Sequence, residues 1–173
     1  MRTKTNSGSV VLKAAAIVLG ACLTIIGMTS ASGDLVTILK LAGAEGGCQA
    51  EVGAASAMAA SAAVELLGGT PAQCLDAASF AIVNILGLVC DPIGGLVENP
   101  CQNRNAMGAS NALISAELSM AGIRSITPID ETIGVMYAVG RSIPSELRET
   151  SLGGMAVAKS ACEACAACAK KKR

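Results

Sequence analysis

Histidine and tryptophan are absent from this chain of 173 residues, and Phe80 and Tyr137 are its only aromatic side chains. The missing histidine excludes the commonest general base, the commonest nitrogen ligand for a metal, and every Ser-His triad. Proton transfer must therefore fall to Asp, Glu, Lys, Tyr, Cys or a backbone-activated hydroxyl, and metal binding to thiolate or carboxylate. The shortage of aromatics removes stacking platforms for bases, and the formal net charge is zero. Both facts exclude nucleic acid as a partner. The one basic run, Lys170 to Arg173, reads as a solvated tail.

What remains is rich in Ala, Gly, Ser and aliphatic residues. The length suits one domain with a sizeable core, built of helices whose small side chains let backbones approach closely. Eight cysteines are present: Cys22, Cys48, Cys74, Cys90, Cys101, Cys162, Cys165 and Cys168. In a long, helix-patterned chain they point to metal or cluster ligation in a reducing compartment before a disulfide framework.

The amino-terminal region reads differently from the rest. Arg2, Lys4 and Lys13 lead into an uncharged stretch from Ala14 to Gly33. Two readings stand: a signal-like segment with a small-residue exit at Thr29-Ser30-Ala31, or a buried helix. A membrane span is disfavoured, because the stretch is short and Thr24, Thr29, Ser30 and Ser32 weaken it.

From Ala44 onward one helix signal follows another. Ala50 to Leu67 is an Ala-rich helix stopped by Gly68-Gly69. Thr70-Pro71-Ala72-Gln73 is a capping box with proline at the first helical position, opening a helix that continues towards Val89. Further helices are expected from about Gln102 to Ala121 and from about Glu131 to Arg141, the latter capped by Thr127 to Asp130. A short fifth should run from Pro144-Ser145-Glu146 to Gly153-Gly154. No run alternates with period two, so the expected fold is all-α: a compact helical domain with candidate ligands on loops at helix ends.

Cys48 follows Gly46-Gly47, Cys90 precedes Asp91-Pro92, and Cys101 follows Pro100. Each lies beside a helix breaker, where nearby helix starts offer N–H donors and a positive dipole end to a thiolate. Three thiolates can hold three corners of a [4Fe-4S] cube and leave one iron open as a Lewis acid. Spacing alone favours three unrelated buried cysteines, since the intervals differ from any compact ferredoxin run. Cys22 and Cys74 fall in apolar helical patterns and read as core residues.

The segment Gly43-Ala44-Glu45-Gly46-Gly47-Cys48-Gln49-Ala50-Glu51-Val52-Gly53 resembles a motif of the iron–sulfur-dependent L-serine dehydratases. So do Val64 to Pro71, Gly87-Leu88-Val89-Cys90-Asp91-Pro92, Gly95 to Glu98, Pro100-Cys101-Gln102, Arg104-Asn105-Ala106, Met136-Tyr137, Pro144 to Thr150, and Leu152-Gly153-Gly154. The resemblance runs from about Gly43 to Gly154. It implies a [4Fe-4S] cluster on Cys48, Cys90 and Cys101, and conversion of L-serine to pyruvate and ammonia without pyridoxal phosphate. It also implies a cytoplasmic lyase of amino-acid metabolism and gluconeogenesis, which favours the buried-helix reading of the leader over a membrane-attached or exported chain. Arg104 is a candidate to bind the substrate carboxylate as a bidentate pair; a structural ion pair with Glu98 or Glu117 is the other reading. Glu45, Glu51 and Lys40 lie near the ligands in sequence, and none is singled out as the general base.

The chain departs from the family on its amino-terminal side, where a Gly- and Ser-containing segment like APTAGSCGILPG is expected. Lys40-Leu41-Ala42 stands where the family has a polar Asn-Ala-Ser-Ile-Ser stretch. The implied partner is a second subunit, or the missing amino-terminal half, and self-association is a further expectation. The alternative function is a non-catalytic iron–sulfur-binding fragment or sensor that needs a partner chain for activity. Three parts are expected: an apolar leader over 1–33, the helical cluster-binding domain over 34–154, and a flexible Cys/Lys-rich tail over 155–173. In the tail, Cys162, Cys165 and Cys168 form C-x-x-C-x-x-C without the following Cys-Pro of a ferredoxin. A disordered, redox-exposed end is taken first, then a thiolate cap on the open iron, then an independent metal site.

Overall fold

The computed structural model describes residues 43–164; the leader, Cys22, Lys40, Cys165, Cys168 and the terminal basic run lie outside the described residues. Six α-helices follow in order: α1 (Gly43–Gly46), α2 (Cys48–Leu66), α3 (Pro71–Val83), α4 (Cys101–Met120), α5 (Ile129–Ser142) and α6 (Lys159–Ala164). Short 3-10 turns lie at Ile93–Gly95, Ser145–Leu147 and Gly154–Val157. Among the described residues there is no strand, only an isolated parallel bridge between Cys90 and Arg148. The fold is all-α, as the absence of period-two patterns predicts.

Local chemistry sets most boundaries. Ala-rich α2 carries the best helix former, and it ends where Gly68 takes a φ of 81° and Gly69 N–H donates to Val64 O. Thr70 and Gln73 form the expected capping box: Gln73 N–H donates to Thr70 Oγ1 at 3.3 Å, and Thr70 N–H to Gln73 Oε1 at 2.9 Å.

Three expectations need correction. Helix α3 stops at Val83, because Gly87 turns the chain at a φ of 83° and gives its N–H to Gln49 Oε1 instead of continuing a helical ladder. Helix α5 begins at Ile129 with no side-chain cap; Asp130 and Glu131 complement its dipole instead. The helix expected from Pro144 is only the 3-10 turn Ser145–Leu147. Its continuation is diverted because Leu147 O accepts from Cys90 N and Glu149 N donates to Cys90 O. The tertiary bridge takes the backbone groups that a helix would need.

Helices α2, α3 and α4 pack on one another, with α5 against α3 and α2. Their shared core is built from Ala57, Ala60, Ala77, Ala78, Ala81, Ala112 and Ala116, filled out by Val64, Ile82 and Met136. Each alanine buries little area, so stability rests on many close dispersion contacts between backbones. Gly108 shows how tight the fit is: a Cβ there would stand 2.6 Å from Val52 Cγ1. Buried polar groups tie the same helices together. Asn111 Nδ2 donates to Ser56 Oγ (2.9 Å) and Ala81 O (2.8 Å), and its Oδ1 accepts from Asn84 Nδ2 (2.7 Å). The ordered packing continues past Gly154, since Ala156 and Ala161 are both buried.

Where α5 crosses α1, Gly140 faces backbone: a Cβ would lie 2.8 Å from Gly46 Cα and 3.0 Å from Gln49 Nε2. Gly140→Ala should therefore lower stability by about 1–3 kcal/mol, despite the better helix propensity of alanine. Gly134→Ala, in the same helix but with nothing within 4 Å of the new methyl, should raise it by about 0.5–1 kcal/mol. Urea unfolding followed by circular dichroism reads both; equal effects would contradict the close-approach account.

Candidate metal centre

Cys48 is the first residue of α2 and Cys101 the first of α4, so each thiol sits at the positive end of a long helix. Cys90 lies on the connection between α3 and α4. All three are buried, at 2%, 8% and 4% exposure for Cys48, Cys101 and Cys90. Cys48 is aimed by its glycines. Gly47 adopts a φ of 76°, and a Cβ on it would meet Leu88 O at 2.8 Å. Gln49 N–H then donates to Leu88 O at 2.9 Å, stitching the start of α2 to the segment that carries Cys90. Pro100, joined to Asn99 by a cis peptide, delivers Cys101.

The three thiols share one neighbourhood. Burial pushes the Cys90 thiol far above its ordinary range, with the adjacent Cys48 adding to the effect, and Glu149 and Glu51 behind. Burial also raises Cys101, followed by the charge of Cys48, against an opposing pull from Arg104. Ionising Cys90 and Cys101 beside Cys48 is thus disfavoured by low solvation and by repulsion, and a cationic centre reverses both effects. Among the described residues, no three Cys, Asp or Glu side chains converge at the distances a single metal ion requires. None of the five described cysteines is in a disulfide.

Arg104, one turn into α4, is the cation of the site. Its Nη1 donates to Asp91 Oδ1 at 2.6 Å, to Val89 O at 2.8 Å and to Cys48 Sγ at 3.7 Å. Burial opposes its charge, but Asp91 and then Cys48 outweigh that and hold the guanidinium above its usual pKa. Asp91 is 2% exposed, and its other oxygen accepts Met155 N–H at 2.6 Å. A strap over 147–155 thereby closes on three consecutive residues: Glu149 on Cys90, Met155 on Asp91, and Ser151, whose Oγ donates to Pro92 O at 2.6 Å. Glu149 and Ser151 pay a conformational cost to do so, with φ of 65° and 56°.

A family model described as serine dehydratase alpha chain matches residues 12–156. This chain belongs to that family. The L-serine dehydratase alpha chain of Peptoniphilus asaccharolyticus is 57% identical over 138 residues, which cover 79% of this chain and 46% of that relative. Two chains named "Probable L-serine dehydratase, alpha chain" are similar as well. That of Bacillus subtilis (strain 168) is 58% identical over 68% of this chain and 39% of its own length. That of Latilactobacillus sakei is 53% identical over 78% of this chain and 62% of its own length. This serine dehydratase alpha-family chain therefore matches about two-fifths to three-fifths of the length of these relatives.

Cys48, Cys90, Cys101 and Arg104 are brought together in this family member, and Glu51 joins them. The ion-pair partner of Arg104 is Asp91, in place of Glu98 or Glu117. Glu45 is turned outward to Arg141 at 3.5 Å. Cys74 is a core residue whose Sγ donates to Glu65 Oε2 at 3.8 Å. Cys162 lies in α6 with its Sγ donating to Ala156 O at 3.6 Å; α6 packs beside the Ile93–Gly95 turn. Among the described residues no helix is long and apolar enough to cross a membrane. Asp91 was not singled out from the sequence, where Asp-Pro signals only a chain break.

Asp91→Ala leaves Arg104 buried without its carboxylate and Met155 N–H without an acceptor, and should cost about 3–5 kcal/mol. Glu149→Gly should instead stabilise by up to ~1 kcal/mol, because the Glu149 side chain is exposed, its strap contact is made by the backbone N–H, and glycine adopts its φ of 65° without strain. Thermal melts of the two variants test the strap directly: a stable Asp91→Ala protein would contradict the hub assigned to it.

Proposed function

We propose that this chain is the cluster-holding part of an L-serine dehydratase, in which Cys48, Cys90 and Cys101 bind a [4Fe-4S] cluster. The observation that carries the reading is the convergence of three buried thiols from distant segments, two of them at helix N-termini, beside a half-buried arginine. The donor set fits such a group: three cysteines supply three corners of a cube, with one iron left without protein sulfur. A four-iron group spreads its ligands around four metals, which agrees with thiols that neighbour one another without gathering on a single ion. A cluster held on thiolates calls for a reducing, cytoplasmic setting.

The cluster, when bound, supplies a Lewis-acidic iron for the hydroxyl of L-serine. The chain's own residues do the rest of the holding. Arg104 steadies Cys48 and the Cys90 segment through Nη1, and its other N–H groups take the substrate carboxylate. Asp91 fixes the guanidinium in that orientation. The burial of the thiols keeps bulk water from the ligands. A partner chain or segment, matching the length of the relatives outside this alignment, supplies the remainder of the substrate site. Products are pyruvate and ammonia, formed without pyridoxal phosphate.

Anaerobic reconstitution of the full chain with iron and sulfide should give the broad visible absorbance of a cluster. That absorbance should be lost or strongly weakened in Cys48→Ser, Cys90→Ser and Cys101→Ser, while Cys74→Ser retains it. Pyruvate formation from L-serine should accompany the cluster once the partner is present. Absorbance without pyruvate under either condition would move the assignment to a non-catalytic iron–sulfur protein, and its absence from the unaltered chain would sink it.

A further inference from the structure

Glu51 lies one turn beyond Cys48 on α2 and therefore on the same helix face. Its side chain is exposed, and its Oε1 accepts the Gly43 N–H at 3.0 Å. The space beside Gly43 is shared: a Cβ there would stand 3.0 Å from Cys90 Sγ and 3.3 Å from Glu51 Oε2. Only a glycine lets the thiol and the carboxylate flank the same backbone atom. The ion pairs among the described residues are Arg104–Asp91, Arg124–Asp76 and Arg141–Glu45, and none compensates Glu51.

We propose that Glu51 binds the ammonium group of a β-hydroxy-α-amino acid beside the three cysteines. The inference rests on the cluster-holding reading above and adds the recognition of the amino end. A zwitterionic amino acid needs one fixed cation and one fixed anion that do not neutralise each other. Arg104 and Glu51 meet that requirement: the arginine is paired with Asp91 on the Cys48 side, and the glutamate is held by Gly43 on the Cys90 side. Glu45 is placed differently, its carboxylate meeting Arg141 at 3.5 Å at the surface. The site thereby selects amino acids over hydroxy acids that share the same hydroxyl and carboxylate.

The test uses the cluster-loaded full chain with its partner present, titrated with L-serine and with L-glycerate, in which a hydroxyl replaces the ammonium group. Binding is read from the electron paramagnetic resonance spectrum of the reduced cluster. The unaltered protein should prefer L-serine, and Glu51→Gln should weaken L-serine roughly tenfold to hundredfold while leaving L-glycerate unchanged or tighter. Glu51→Asp, which keeps the charge, should retain the preference for L-serine. Equal weakening of both compounds, no weakening of either, or an unaltered cluster-loaded protein that responds to neither would overturn the assignment. So would failure of both variants to load a cluster, which would make Glu51 an assembly residue. Failure of the unaltered chain to load one is a separate result, removing the cluster reading itself and the inference with it.

Discussion

The Arg104–Asp91 pair is the interaction on which the rest of this structure depends. A guanidinium from α4 meets a nearly fully buried carboxylate at 2.6 Å, and each partner has a second task. Arg104 reaches Val89 O and Cys48 Sγ, joining α4 to the Cys90 segment and to the start of α2. Asp91 receives Met155 N–H and fastens the strap. A buried pair of this kind contributes little net stability against a well-packed apolar substitute, but removal of one member strands the other. Its value here is positional, since one pair ties together the segments that carry all three candidate ligands.

The small-residue core serves the same end. Alanines and glycines let α2, α3 and α4 approach closely, leaving few large side chains to define the packing. Uniqueness comes instead from buried polar groups such as Asn111 and Gln49. Gln49 donates to Met136 O and accepts from Gly87 N, so the residue next to Cys48 locks α2 to α5 and to the turn before Cys90. Rigid placement of the thiols follows from the neighbours of the cysteines as much as from the cysteines themselves.

Features encoded locally were legible in the sequence. The Thr70–Gln73 capping box, the Gly68-Gly69 stop and the span of α4 follow from short-range chemistry that the structure keeps. The grouping of Cys48, Cys90 and Cys101 was accessible only through resemblance, because their spacing favours no common centre. What escaped was set by long-range contact. The segment after Pro144 carries helix-forming residues, yet Cys90 captures its backbone groups and turns it into a strap. Asp91 beside a proline looks like a turn residue, and only the fold brings Arg104 and Met155 to its two oxygens. Glu45 and Glu51 were equivalent in sequence, and they are separated by which of them has an arginine within reach.

The central claim is that three thiols of this chain hold one four-iron group with a single iron free of protein sulfur. Mössbauer spectroscopy of the anaerobically reconstituted, iron-57-loaded chain tests it most directly. The account predicts one iron environment distinct from the other three, and a change in that one environment alone when L-serine is added with the partner present. Four equivalent irons, or no bound iron after complete assembly, would contradict it.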